Sequence, residues 1–267
     1  MGRRLFRGKR SLKGKRAIVT GASGGIGRAL AVELAGRGVR QVLIARRAEQ
    51  LKATAEAARS ASADVESLVG DITSADVRAQ ALHVARDRFG GVDLLINNAG
   101  VSAYGRFATA SPDRLRKIME VNFFAAAELI REATPMLAEV GDAVVVNIGS
   151  ILGCRGLPLG SEYSASKFAL HGLSESIRPE LAKLGVDLLL VAPGSTDTDI
   201  KKNVIEQRET PPWAAARGVP PTDVARQIAS AIERRRRFII PNGKGRLLLL
   251  ANRFVPWLVD RAVWRHG

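Results

Sequence analysis

Apolar residues in this chain of 267 gather in short runs rich in leucine and β-branched residues: AIVT at 17–20, QVLIA at 41–45, DVESLV at 64–69, DLLIN at 93–97, AVVVNIG at 143–149, VDLLLVAP at 186–193 and RFIIP at 237–241. Longer stretches with helical spacing separate them. Seven strands alternating with helices predict an α/β fold, a parallel doubly wound sheet flanked by helices. Most runs are apolar at consecutive rather than alternating positions, as in strands covered on both faces. The length suits one such domain better than two.

The least regular stretch, 197–221, follows the sixth run and combines charged residues with Pro211, Pro212, Pro220 and Pro221. Open α/β sheets place ligand sites and lids after the carboxyl ends of strands, so this segment is expected to cover a substrate. An ordinary exposed loop is the alternative.

Charge changes the picture of possible partners. Forty-one Lys and Arg against 26 Asp and Glu give a net charge of +15, which first suggests nucleic acid. Eight of the bases lie in residues 1–16 with no acid, and nine lie in 234–267 beside a single acid, Asp260. The body between them, 17–233, has a net charge of −1. Two basic ends on a neutral body do not make the basic face that reads DNA, and no nucleic-acid partner is expected. The division implied is a basic arm at 1–14, one domain at 15–243 and a basic amphipathic tail at 244–267.

Cys154 is the one cysteine, which excludes an internal disulfide and suits a reducing compartment. His83, His171 and His266 are scattered, without cysteine companions, and no metal site is expected. Asp197 and Asp199 read as loop-capping groups rather than metal ligands. The apolar run at 17–19 is too short for the core of a signal peptide, so the chain is expected in the cytoplasm.

The first strand runs into Thr20-Gly21-Ala22-Ser23-Gly24-Gly25-Ile26-Gly27 and then a helical pattern. Glycines at such a turn let backbone amides approach a pyrophosphate, and the following helix N-terminus favours its charge. The second strand ends Ala45-Arg46-Arg47, where dinucleotide sites usually present an acid to the ribose. Two guanidinium groups there favour the 2′-phosphate of NADP over NAD. A solvated helix start is the other account of them.

Tyr163 and Lys167 are four residues apart, on one face of a helix. A tyrosine needs a neighbouring cation before its phenolate serves as a base at neutral pH, and Lys167 supplies one. Together with the glycine turn, Asn97-Asn98-Ala99-Gly100, Ser150 and Pro193-Gly194, their order and spacing resemble the short-chain dehydrogenase/reductase family over roughly residues 15–240.

That resemblance implies a Rossmann-type fold, a homo-oligomer and a set of roles. Tyr163 would exchange a proton with the reacting oxygen, Lys167 would lower the Tyr163 pKa and bind the nicotinamide ribose, Ser150 would hold the oxygen, and Asn122 would support a proton relay to the lysine. Gly21, Ser23, Gly25 and Ile26 would surround the phosphates, Arg46 and Arg47 the 2′-phosphate and Asp71 the adenine. Asn98, Ala99 and Gly100 would lie along the ribose, with Pro193, Gly194 and Thr196 at the nicotinamide. Thr198 competes with Thr196 for the carboxamide.

Tyr104, Leu152, Leu157, Leu159 and Trp213 are substrate-wall candidates by position, with ordinary packing as the alternative. Cys154 is four positions beyond Ser150, but no histidine is evident in the sequence to make it a nucleophile. The expectation is an NADP(H)-dependent oxidoreductase acting on a small-molecule carbonyl/alcohol pair, hydrophobic in character. A non-catalytic NADP-binding sensor or membrane-associated scaffold is the alternative.

The tail after Gly245 mixes Leu, Phe, Val and Trp with Arg and is too broken to span a bilayer. It suits peripheral contact with the inner face of an anionic membrane, with Arg234 to Arg237 and the N-terminal arm adding attraction. Packing of the tail on the body is the competing reading.

Overall fold

A computed structural model describes residues 8–61, 63–198, 204–211 and 218–264. Residues 1–7 of the arm, Asp199, Pro212, Trp213, Arg265 and His266 lie outside the described residues. In chain order the strands are β1 (Arg16–Thr20), β2 (Arg40–Ala45), β3 (Val65–Val69), β4 (Leu94–Asn97), β5 (Ser102–Tyr104), β6 (Ala143–Ile148), β7 (Val186–Val191), β8 (Val204–Gln207) and β9 (Phe238–Ile239). The helices are α1 (Gly25–Ala35), α2 (Ala48–Ser60), α3 (Ala75–Phe89), α4 (Arg114–Met119), α5 (Ala125–Val140), α6 (Ser161–Lys183), α7 (Pro221–Glu233), α8 (Gly243–Phe254) and α9 (Pro256–Trp264).

Seven strands form one parallel sheet in the order β3-β2-β1-β4-β6-β7-β9. Successive residues of the central strands feed opposite faces. Val19, Ile96 and Val146 join the core beneath α1, α2 and α7, whereas Ile18, Leu95 and Val145 join the core beneath α3, α5 and α6. This two-sided burial is why their sequence is apolar at every position.

Chain order reverses between β1 and β4, the point at which strand ends diverge and leave a crevice. All seven expected strands occur, though β9 has only two residues because Pro241 ends this edge strand. β5 and β8 were not anticipated. They pair with each other in a separate two-stranded sheet, which brings the segment after β7 back to the segment after β4.

Residues 8–16 are part of the body rather than a free arm. The Arg10 side chain is 1% exposed; it donates to Asp187 at 2.7 Å, to Asp142 at 3.1 Å and to the carbonyls of Ile232 and Ala143. Lys15 and Arg16 both bind Asp93, at 3.0 and 2.6 Å.

Candidate active site

The carboxyl ends of β1, β4, β6 and β7 converge on a cavity of about 420 Å³. At one end is the glycine turn. Gly21 has φ +66, and a Cβ on it would lie 2.8 Å from Cα of Ala99; a Cβ on Gly27 would lie 2.3 Å from the Gly21 carbonyl oxygen. Only glycine permits either approach. The turn is locked from the next strand: Asn98 Nδ2 donates to the carbonyls of Thr20 and Gly21, while Thr20 Oγ1 accepts from the amides of Asn98 and Ala99 at 2.9 and 3.0 Å.

Helix α1 starts at this turn without a side-chain cap, and its first turn holds no acid. Its amide donors and positive end are thereby left for an anion. Arg46 and Arg47 line the same end. Arg47 donates to Ser23 Oγ and to the Ser23 carbonyl, at 3.2 and 3.3 Å, and Arg46 stands 3.6 Å from Asp71 with more than half of its side chain in solvent. Asp71 meets Arg46 through Oδ2, while the amide and hydroxyl of Thr73 both donate to its Oδ1. A cradle too tight for a Cβ, an open helix terminus and two guanidinium groups fit the phosphates of a dinucleotide.

At the other end Tyr163 and Lys167 project from the first turns of α6. Burial pushes the Tyr163 phenol up to about 12, with Ser150 opposing the rise and Tyr104 adding to it. Lys167 Nζ lies 5.7 Å from the centre of the Tyr163 ring and donates to the Ile148 carbonyl at 3.0 Å. Burial lowers its ammonium to about 8. Desolvation of the phenolate dominates the Tyr163 shift, and Lys167 is not among the groups that move it.

Every cofactor-contacting residue named from the sequence lines this one cavity, as do Ser150, Tyr163 and Lys167. Asn122 stands behind it. In a π turn between α4 and α5 it accepts from the Val101 amide at 2.8 Å and donates to the Val101 carbonyl and to Ser166 Oγ, bracing the wall next to Lys167. Thr196 turns its hydroxyl to the Gly194 carbonyl at 3.2 Å, and Thr198 sits against Gly25. Tyr104, Leu152 and Leu157 line the cavity. Leu159 does not, being held at φ +61 in a turn whose carbonyl accepts from the Gly105 amide.

Three features escaped the sequence reading. Leu248 of α8 lines the cavity, so the tail helps to build the site. Arg114 is 1% exposed and bonded to Glu162 at 2.6 Å and to Glu206 at 3.2 Å, which ties the start of α6 to β8. The third corrects the expectation for Cys154. A histidine partner exists, because Nδ1 of His171 is 3.4 Å from the Cys154 sulfur.

That pair is nevertheless inert. Burial raises the thiol, with Glu175 adding to the rise, and burial together with Lys167 lowers His171 to about 4. Both partners are neutral, so no thiolate forms. His171 Nε2 faces the Ser150 amide at 3.5 Å and leaves no room for a side chain at Gly149 or Gly153, so it shapes the loop that carries Ser150.

The segment at 197–221 is pinned at its two ends, where the Asp197 amide donates to the Val219 carbonyl and the Val219 amide to the Ser195 carbonyl, both at 3.0 Å. Among the described residues no cluster of His, Cys, Asp or Glu has the make-up of a metal site, and no helix is long and apolar enough to cross a membrane.

Residues 15–209 match the family model described as short chain dehydrogenase. The ketoacyl reductase HetN of a Nostoc species is 31% identical over 257 residues, 94% of this chain and 88% of that protein. Dehydrogenase/reductase SDR family member 7B of Bos taurus is 30% identical over 233 residues, 84% of this chain and 72% of that protein. Among solved structures, a short chain dehydrogenase/reductase from Burkholderia phymatum in complex with NAD is 27% identical with a TM-score of 0.84, covering 93% of this chain and 96% of that one. A short-chain dehydrogenase from Streptomyces avermitilis is 29% identical with a TM-score of 0.81, covering 94% of this chain and 96% of that one.

Proposed function

The chain belongs to the short-chain dehydrogenase/reductase family, and we propose that it is an NADP(H)-dependent oxidoreductase interconverting a ketone or aldehyde with an alcohol on a hydrophobic substrate. The observation that carries this reading is that Tyr163, Ser150 and Lys167 line the same cavity as the glycine turn and Arg46 and Arg47, with Lys167 Nζ 5.7 Å from the Tyr163 ring centre. Arg46 and Arg47 would hold the 2′-phosphate, and the α1 N-terminus the pyrophosphate.

A bound nicotinamide cofactor, held by the glycine turn and the segment 193–196, would supply the hydride for the carbonyl carbon. Tyr163, at about 12, keeps its proton at neutral pH and is ready to give it to the carbonyl oxygen as that carbon is reduced. Ser150 holds the same oxygen in place, its own position fixed by the Leu152 amide at 3.1 Å and by His171 behind it. Lys167, anchored on Ile148, sets a positive charge beside the phenolate that Tyr163 becomes. Tyr104, Leu152, Leu157 and Leu248 give the substrate end its apolar character. The Nostoc relative, named a ketoacyl reductase, supports a carbonyl attached to an apolar chain.

Oxidation of NADPH in the presence of apolar ketones and ketoacyl thioesters tests the reading. Tyr163→Phe should cut kcat by about 10² to 10⁴ while leaving NADPH binding intact. Undiminished turnover in that variant sinks the mechanism.

A further inference from the structure

The tail forms two short helices with a distinct surface. On α8, Leu247, Leu250 and Phe254 share one face at helical spacing and are 54–70% exposed. On α9, Trp257 and Trp264 are 62% and 78% exposed, with Arg261 between them on the same face. Lys244, Arg246, Arg253 and Arg261 are exposed around these side chains, and among the described residues no carboxylate pairs with any of them. The acid of this hairpin, Asp260, is taken by Arg155 at 2.5 Å.

We propose that α8 and α9 form a docking face for an anionic lipid surface, holding the cavity mouth against the bilayer so that an apolar substrate enters from it. Charge complementarity selects this occupant. A second copy meeting the hairpin face to face would bring the same cations together, whereas anionic headgroups neutralise them and the acyl boundary takes up the leucines and tryptophans. Tryptophan with arginine is also the pairing found at the membrane–water boundary.

The face is coupled to the site. Leu248, between the exposed Leu247 and Leu250 in sequence but on another side of α8, lines the cavity, and Arg155 holds both Asn252 and Asp260 while lying five residues beyond Ser150. Arg10, Lys15 and Arg16 are bound at the amino ends of the strands, opposite to the cavity, which removes these three from the attraction expected of the arm. The proposal rests on the carbonyl reading above only for the identity of the substrate.

The full chain is tested by co-sedimentation with vesicles of phosphatidylcholine alone and of phosphatidylcholine with phosphatidylglycerol, at low and high salt. Binding should require phosphatidylglycerol, weaken with salt and shift tryptophan emission to the blue. Trp257→Glu should weaken it about tenfold, whereas Leu184→Glu, the same change at an exposed site after α6, should leave it unaltered. Failure of the full chain to sediment, or equal binding by Trp257→Glu, overturns the proposal. So does a lipid-free mass that falls from dimer to monomer in Trp257→Glu without vesicle binding, which would assign the face to a second copy. Turnover of a water-soluble ketone without vesicles should be equal in Trp257→Glu and the unaltered chain; vesicle binding without any turnover would remove the enzymatic reading and leave the docking face standing.

Discussion

The two edges of the sheet handle charge in opposite ways. At the amino edge, where strands begin, cations and anions are matched: Arg10 and Arg235 share Asp142 and Asp187, and Lys15 and Arg16 share Asp93. Burial raises Asp142 and Asp93, but their arginine and lysine partners outweigh it and hold both carboxyls below the ordinary range. At the carboxyl edge the charges around the cavity are matched only loosely: Arg46 stands 3.6 Å from Asp71, and both side chains are exposed. Lys167 binds a carbonyl rather than a carboxylate, and Arg47 holds Ser23. One edge spends its charges on fixing where strands start; the other keeps them for what enters the cavity.

The largest effect that would break this contrast is at Arg10. Removing one partner of a buried ion pair costs 3–5 kcal/mol as a rule. Arg10→Leu should lie near the lower end, about 3 kcal/mol, because Arg235 remains on both aspartates at 2.8 Å. Urea unfolding should register that loss, while the KM for NADPH stays unchanged. A stable variant with altered kinetics would show that the amino edge is not purely structural.

The contrast also marks what was legible beforehand. Strand positions were readable because two-sided burial writes itself as unbroken apolar runs, and the glycine turn because its spacing is set by atoms that a Cβ would strike. Charge was read by amount, since a count does not reveal a partner. Arg10 finds its aspartates 132 and 177 residues away, and Arg114 finds Glu162 48 residues away. The same distance hid His171 behind Cys154, Leu248 in the cavity wall, and β5 with β8, whose pairing joins residues about a hundred positions apart.

Lys167 sharpens the comparison through pH. Its ammonium is lowered from 10.5 to about 8, so between these values the unfolded chain binds the proton and the folded chain does not. Stability from this group therefore rises as pH increases from 8 to 10.5, by up to about 3 kcal/mol, and the penalty is fully present below 8. Lys167→Met should be inactive yet more stable than the unaltered chain at pH 7, with the difference narrowing toward pH 10.5. Asp93 and Asp142 carry the opposite sign, stabilising above the carboxylate range and losing that contribution in acid. A Lys167→Met protein that is less stable at pH 7 would mean that the bond to Ile148 outweighs burial of the charge.

The smallest effect concerns the two guanidinium groups beside the glycine turn. Arg46 and Arg47 lie at the end of β2, where no acid follows to bind a ribose hydroxyl, and neither is buried in a carboxylate network of the kind that holds Arg10. Charge-assisted hydrogen bonds to a phosphate contribute about 1.5–3 kcal/mol. Because Arg47 already has partners in Ser23, part of its gain is an exchange, and the joint loss in Arg46→Ala/Arg47→Ala should be about 2 kcal/mol, roughly thirtyfold in KM for NADPH. NADH, which lacks the 2′-phosphate, should be used equally by both proteins, and unfolding should be unaffected because neither arginine ties strands together. Equal losses for both cofactors would mean that the pair orders the Ser23 turn instead of reading the phosphate, and the carboxyl edge would then resemble the amino edge more closely than its exposed charges suggest.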